Sequence, residues 1–593
     1  MADKYTWDLS LFFKDEESFL KELEDFKAYI EKAESFKGKL GDFSTLAEAF
    51  RFQKAMEHDL SKIYFFASMR SDRNKKDVKN AEDLAKVQGL LMKLGEALSY
   101  FEPEVIALGE DKLTEFFLAY PQLKEFEFSI KKLFLGQKYV LTPDKEKLLS
   151  AYAPLAGEAR QLYSALAVAD YTPKTATLKD GSTVTVSQAN WTSLVADASC
   201  EEDRATIFET LYSDYAEKKN AYAEIYNVAL NAQLANVKSR GYKDILNSHL
   251  EGNAIPESVF LNLVDVASSE EGTAPLKKYY EIKRKYLGLE KFRSYDRFVQ
   301  LAKSEKKYTY EQAKDLFFAS IADFPADFQE KAHEVTKEGF VDVYPGEGKR
   351  TGAYSNGGSD FHPYILLNFV GELNDVFTLA HESGHSIHTM YSEESQPTTL
   401  QDYTIFVAEI ASTFNEHNLL DYLLTHEELS KSDKIFLLQK SIDEICSTFY
   451  RQTLFGNYEY LVAKKVEDGE PINYQVLSNV MIDLYKKYYG IDISEEKVKP
   501  LVWAYIPHLF YTPFYVYPYA TSFTSSMLIS EKVKAKEEGA FDRYIKLLRS
   551  GGSDFPVEQV KKAGVDLTSK EPFEAVVKRM SELVDQLEKL LAE

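Results

Sequence analysis

The sequence predicts a mostly α-helical protein with a few short β segments and one β-hairpin. Three observations carry this. Amphipathic runs at helical spacing fill most of the chain. Period-two alternation is confined to one hairpin signal and to short stretches between about 342 and 370. No low-complexity linker or fixed-period repeat interrupts the 593 residues. Length alone suggests about three to five domains of usual size. The lack of linkers allows one large helical body equally.

Taken in order, residues 9–170 read as successive amphipathic helices, among them Glu17–Glu34, Ser44–Met69, Val78–Ser99 and Glu125–Tyr152. Their charged residues fall on alternate faces, as on a solvated helix. Two alternating runs then flank Asp180-Gly181, a strong turn signal, so a hairpin is expected over residues 175–186. Helices resume over 201–286, with breaks, and over 309–339. The glycine-rich stretch 342–360 reads as a loop with a short β segment. Its Gly348-Lys349-Arg350-Thr351 lacks the glycine spacing and the hydroxyl after lysine of a phosphate loop, which excludes that reading. Tyr364–Val370 reads as a strand ended by Gly371, and Asn374 as the N-cap of a helix with Asp375 in its first turn. From 374 the chain is again mostly helical. As regions, this gives an N-terminal helical part (1–110), a helical linker part with the hairpin (111–200) and a catalytic part (201–593).

The chemistry is concentrated at His381-Glu382-Ser383-Gly384-His385. On a helix, residues four apart share a face. Two imidazoles so placed can hold one zinc ion at about 2.0–2.1 Å. Glu382, one residue along, can take a proton from a zinc-activated water. A chain with ten histidines would show this pattern by accident only about once in a hundred. The largely apolar Val376, Phe377, Leu379 and Ala380 lead into it, and paired histidines in such a buried helix need a partner.

A catalytic zinc usually has three protein ligands and an open position. His388 lies seven residues from His381, roughly 10 Å along the axis, so it cannot join both histidines on one ion and reads as a packing or supporting residue. Glu393 and Glu394 are expected past the helix end and exposed. Glu409, inside Ile405-Phe406-Val407-Ala408-Glu409-Ile410-Ala411-Ser412, is a carboxylate in an apolar helix, where a lone charge is costly. It reads as the third ligand, returning on a second helix. Glu416, seven residues on, can accept a hydrogen bond from a ligand histidine or join a structural ion pair.

Composition narrows the function classes. A net charge of −23 disfavours nucleic acid and anionic membranes as partners. With 2 cysteines there is no disulfide framework or thiolate cluster, which points to a reducing compartment. The opening residues lack a signal-peptide pattern, and the aromatic run 500–523 carries four prolines, which argues against a membrane span. A cytoplasmic location is expected.

With these residues in place the chain resembles the family of thimet oligopeptidase and, more closely, oligoendopeptidase F. The likeness includes Tyr5-Thr6-Trp7-Asp8-Leu9, Gly348 to Ser355, Leu367-Asn368-Phe369 through His388, Phe406-Val407-Ala408-Glu409, and the aromatic segment His508 to Ser522. The resemblance implies an elongated multi-helix body with a deep central channel, one zinc ion at its base, and endopeptidase action on short unfolded peptides. It implies His381, His385 and Glu409 as metal ligands and Glu382 as general base. It also places a histidine and tyrosines of a late loop over the substrate. Here these are His508, Tyr511 and Tyr519, with Tyr517 as a rival to Tyr519, because the chain lacks the Gly-Gly pair that thimet-type members carry there. Tyr519 or His508 is then the candidate donor to the developing oxyanion.

The expected reaction is peptide hydrolysis by zinc-activated water, with the substrate backbone paired against Tyr364–Val370. The rival within enzymes is a zinc carboxypeptidase or dipeptidyl carboxypeptidase, which needs a cation for the substrate's terminal carboxylate. Outside enzymes it is a helical binding protein with a structural zinc, for which no fourth ligand is evident.

Overall fold

The structure, a computed structural model, describes residues 4–426 and 428–593. It is mostly helical, and among the described residues the strands are short and lie in two small sheets. Ser44–Met69 and Val78–Ser99 appear as Phe43–Arg73 and Val78–Leu98. Each is capped by an aspartate, Asp42 accepting from Thr45 N and Asp77 from Lys79 N and Asn80 N. Two expected helices are divided. Glu17–Glu34 breaks at Phe26, whose N–H bonds back to Glu22 and Glu24, giving Glu16–Asp25 and Lys27–Ser35. Glu125–Tyr152 becomes Glu127–Gln137 and Pro143–Ser164, because a proline at the first helical position starts a new helix. The hairpin lies where Asp180-Gly181 places it. Strand β1 (Lys174–Thr177) pairs antiparallel with β2 (Thr183–Val186), and Gly181 takes the positive φ the turn requires.

The second sheet positions the site. Its order is β3 (Val341–Asp342), β5 (Phe361–Leu366), β4 (Tyr354–Gly358), with β3 parallel and β4 antiparallel to β5. The N-terminal segment is fastened to it. Trp7 Nε1 donates to the Ile365 carbonyl at 2.8 Å, and Val343 N donates to the Tyr5 carbonyl at 2.9 Å. Trp7, Phe12, Phe19 and Phe66 form an aromatic core against Tyr364 and Leu366. Lys349, from the rejected phosphate-loop fragment, is spent on structure: its Nζ lies 2.6 Å from Asp342 Oδ1.

Contacts group the chain into two units, each assembled from three segments. One comprises Met1–Lys138, Glu305–Glu427 and Ile529–Val565. The other comprises Tyr139–Ser304, Glu428–Leu528 and Asp566–Glu593. Among the described residues no helix is long and apolar enough to cross a membrane.

Candidate active site

The HExxH motif lies in the helix Leu373–Ser395, and Glu409 in the helix Ile405–His426; both belong to the first unit. The motif helix begins at Leu373, one residue before the expected cap Asn374. The Asp375 carboxylate accepts from Val370 N and Glu372 N, both at 2.9 Å, so Glu372 closes the end and Asn374 is already helical. The helix also runs further than expected, through Ser395. Glu393 is therefore half-buried rather than exposed. Burial, with the nearby Asp360, pushes its carboxyl up to about 8. Glu394 is exposed and pairs with Lys331 Nζ at 2.6 Å.

Gly384, inside the motif, explains how the two helices meet. A Cβ there would lie 2.5 Å from the Ala411 carbonyl oxygen and 2.6 Å from Ser412 Cα. Only glycine allows this approach, and Asn415 Nδ2 clips the contact by donating to the Ala380 carbonyl at 3.1 Å. The close crossing brings Glu409 to the histidines. His381 Nε2 and His385 Nε2 are 3.2 Å apart. Glu409 Oε2 lies 3.5 Å from the first and 3.7 Å from the second. Three donors about 2.0–2.1 Å from a tetrahedral ion would be separated by about 3.3 Å, so this triangle fits a zinc-sized cation. The three side chains keep 25 %, 19 % and 22 % of their surface exposed, which leaves the open side that a catalytic metal needs.

The remaining imidazole nitrogens are taken. Glu416 Oε1 lies 2.6 Å from His381 Nδ1, and the Ala408 carbonyl accepts from His385. Both bonds leave each Nε2 for the centre of the triangle. Burial disfavours charge on His381, but the bond and charge of Glu416, aided by Glu382 and Glu409, overcome it and push His381 up to about 9. Burial and the neighbouring His381 hold His385 well below its usual value. The cluster thus attracts positive charge between two imidazoles and three carboxylates. Glu382 is 6 % exposed, and burial pushes its carboxyl up to about 7, against the opposing pull of His381. It accepts a hydrogen bond from the Ser355 N–H on β4, and Ser355 Oγ meets Ser386 Oγ at 2.8 Å. His388 stands apart from the metal triangle. Its ring stacks on Tyr403 at 3.6 Å and 4°.

Two expectations about substrate contacts change. The strand expected to receive a peptide, Tyr364–Val370, is regular only to Leu366, and as β5 it is central, with both edges occupied. The edge strand beside the motif is β4, which lies in the glycine-rich stretch read as a loop with a short β segment. In the late segment, which belongs to the second unit, His508, Tyr511 and Tyr519 are partly exposed, whereas Tyr517 is 3 % exposed and packs edge-on against Phe260 at 5.3 Å. Sequence reasoning missed Tyr515, four residues before Tyr519. Its hydroxyl accepts from Tyr519 at 3.3 Å and its ring packs on His508 at 5.4 Å. It also passed over Gly384. A glycine inside a helix costs about 1 kcal/mol, and that cost was the available signal.

A His-Glu-x-x-His helix completed by a carboxylate from the next helix defines a metallopeptidase centre. Residues 194–579 match Peptidase family M3, and residues 104–172 match Oligopeptidase F. The chain is 34 % identical to Oligopeptidase PepF of Bacillus subtilis over 588 residues, covering 99 % of this chain and 87 % of that protein. It is 31 % identical to Group B oligopeptidase PepB of Streptococcus agalactiae, covering 100 % and 98 %. The crystal structure of oligoendopeptidase-F from Enterococcus faecium superposes with a TM-score of 0.75 at 26 % identity, covering 97 % and 99 %. The chain belongs to peptidase family M3, in its oligopeptidase F branch, and is a metalloendopeptidase.

Proposed function

We propose that the protein is a zinc-dependent oligoendopeptidase that hydrolyses internal bonds of short peptides, with Glu382 as general base. The observation that carries this is the triangle of His381, His385 and Glu409 beside the buried carboxylate of Glu382. Bound there, one zinc ion supplies Lewis acidity toward a carbonyl and lowers the pKa of a water to about 7.

The chain's own groups do the rest. Buried next to His381, Glu382 is placed to take a proton and return it to the leaving amine. The Ser355 N–H holds that carboxylate in place. Strand β4, the sheet's edge, offers backbone groups to an extended peptide, which suits broad side-chain choice. His508, Tyr511 and Tyr519 are the candidate substrate contacts, and their partial exposure supports this. Tyr519 is favoured over the buried Tyr517 as an oxyanion donor. Burial and the charge of Arg451 keep His508 neutral, so it can act as a hydrogen-bond donor without carrying charge.

The test is cleavage of an internally quenched peptide blocked at both ends, with metal content measured in parallel. Glu382→Gln should retain the metal and lose turnover by ~10²–10⁴-fold. Near-normal turnover in that variant removes Glu382 as the base. Cleavage only of unblocked peptides, from the C-terminus, moves the assignment to a carboxypeptidase.

A further inference from the structure

A cavity of about 210 Å³ opens in the first unit at the N-terminal end of the motif helix. It lies between that helix, the residues just before β4 and the residues just after β5. Liquid water takes about 30 Å³ per molecule, so the space equals roughly seven waters. Pockets for whole small ligands run to about 300–1,000 Å³. This one has room for a single long side chain.

Its lining has a one-sided chemistry. Leu367 and Phe369 are buried and give it apolar walls. The polar side chains are Asn368, Asp375 and Thr378, and Asp375 is the one charge in the lining. Asn368 Nδ2 donates to the Arg350 carbonyl at 3.0 Å and to the Gly352 carbonyl at 2.7 Å. Two carbonyl partners fix which end of the amide is nitrogen, so Oδ1 faces the other way. Asp375 Oδ2 takes both helix-end bonds, from Val370 N and Glu372 N. Among the described residues, Asn368 Oδ1 and Asp375 Oδ1 have no hydrogen-bond partner, and neither is sealed from solvent. The Thr378 hydroxyl donates to the Asn374 carbonyl at 3.1 Å, which leaves its oxygen as an acceptor. The side chains therefore offer acceptors and one negative charge, with no cation and no unused donor.

The cavity sits where a peptide on β4 would pass. Thr378 precedes His381 by one turn, about 4.5 Å along the axis, and Asp375 precedes it by about 9 Å. An extended peptide rises about 3.3 Å per residue, so these groups stand one to three residues from a bond cut at the motif. The free edge reaches the same place. The Ser355 N–H turns to Glu382, away from β5. Residues two apart on a strand turn their backbone groups to the same side, so Ala353 presents its N–H and carbonyl to the open edge. Among the described residues neither group has a partner.

We propose that this cavity is a subsite for a basic side chain, lysine or arginine, of the peptide. It rests on the reading that the peptide lies along β4. The aliphatic stem would run along Leu367 and Phe369, and the cation would meet Asp375 Oδ1 and Asn368 Oδ1.

The test gives the full-length, metal-loaded enzyme internally quenched peptides blocked at both ends, so that no terminal ammonium competes. Lysine, norleucine or glutamate is moved through the positions on each side of the cut bond, and product masses locate that bond. At one position lysine should raise kcat/KM about tenfold over norleucine, mainly through KM, and glutamate should lower it. Asp375→Asn keeps an oxygen for the two helix-end N–H groups and removes the charge. Its lysine-to-norleucine ratio at that position should fall to about one. A ratio measured within one preparation is not moved by partial unfolding or metal loss, which separates recognition from a structural role. Thr378→Lys, which places a cation in the cavity, should erase the preference too, and it serves if Asp375→Asn does not fold.

The net charge of −23 favours a cationic peptide wherever its charge sits. A lysine preference equal at every position, or one that survives both substitutions, therefore overturns the subsite. Binding of the same peptides to metal-loaded Glu382→Gln, followed by fluorescence polarisation, keeps this apart from the reading of the reaction. If the wild type cuts no blocked peptide but Glu382→Gln binds the lysine peptide about tenfold more tightly than the norleucine one, the subsite stands and the endopeptidase reading fails. Cleavage without a preferred position sinks the subsite and leaves the endopeptidase reading intact.

Discussion

At the scale of single residues, the site was legible because metal chemistry restricts residue types and spacings. HExxH and one carboxylate inside an apolar helix picked out His381, His385 and Glu409, whose ligand atoms lie within 4.8 Å of one another. The spacing left Glu416 open between a hydrogen-bond partner and a structural ion pair, and it sits 2.6 Å from His381 Nδ1. Replacing Glu416 by Gln keeps a group of similar size and removes the charge that orients the imidazole. Metal affinity should then fall by about 10–100-fold, read by competition with a chelator. An unchanged affinity would leave Glu416 as packing only. The tyrosines were less legible, because sequence shows a stripe of hydroxyls but not which of them tertiary packing buries. Burial separates Tyr517 from Tyr519, and it depends on Phe260, more than 250 residues away in the chain.

At the scale of elements, helices and the hairpin followed from periodicity, while edges and close approaches did not. A short β segment was expected within 342–360, but its place was not legible, because the sequence of β4, Tyr-Ser-Asn-Gly-Gly, has little strand propensity. It exists because β5 pairs with it and because Gly357 tolerates Pro363, where a Cβ would come within 2.6 Å. The Gly384 contact is of the same kind. Gly384→Ala should force the helices of His381 and Glu409 apart, costing about 1–3 kcal/mol of stability and weakening metal binding; normal metal content and Tm would refute the packing argument. In the second unit, Glu459 is 3 % exposed and accepts the Phe514 N–H at 2.8 Å, where Phe514 holds a positive φ of 56°. Burial pushes the Glu459 carboxyl up to about 8. The folded state therefore holds this proton more tightly than the unfolded state, whose glutamate titrates near 4.3. The stabilisation is fully present below the unfolded value and is lost as pH rises through about 8, by up to ~1.4 kcal/mol per pH unit. Glu459→Gln accepts the same N–H without titrating, so it should flatten the fall in stability between mildly acidic and alkaline pH. Parallel stability–pH curves for wild type and variant would show that Glu459 is ionised in the fold.

At the scale of the whole molecule, the sequence reads as regions in series, and the contacts group the chain into two units of three segments each. Nothing local in the sequence marks a segment that returns to an earlier unit. Ile529–Val565 is such a segment. Gly552 N donates to the Leu400 carbonyl at 2.8 Å, and Gln396 Nε2 to the Arg549 carbonyl at 2.8 Å, so it braces the loop joining the helices that carry His381 and Glu409. His381, His385, Glu409, Glu382 and Glu416 all lie in that one unit. A metal that binds only the folded state adds stability by mass action, about 2.7 kcal/mol at a hundredfold excess over Kd. For a unit of this size, that corresponds to a Tm change of roughly 4 °C. Chelation should therefore lower the first unit's transition in a calorimetric scan by about that amount, and zinc should restore it. The same scan on His381→Ala should start at the lower temperature and not respond to zinc. A wild-type transition indifferent to chelation would mean that the triangle of His381, His385 and Glu409 is not where the folded chain gains its metal energy. A wild-type response retained in His381→Ala would place that energy elsewhere in the molecule.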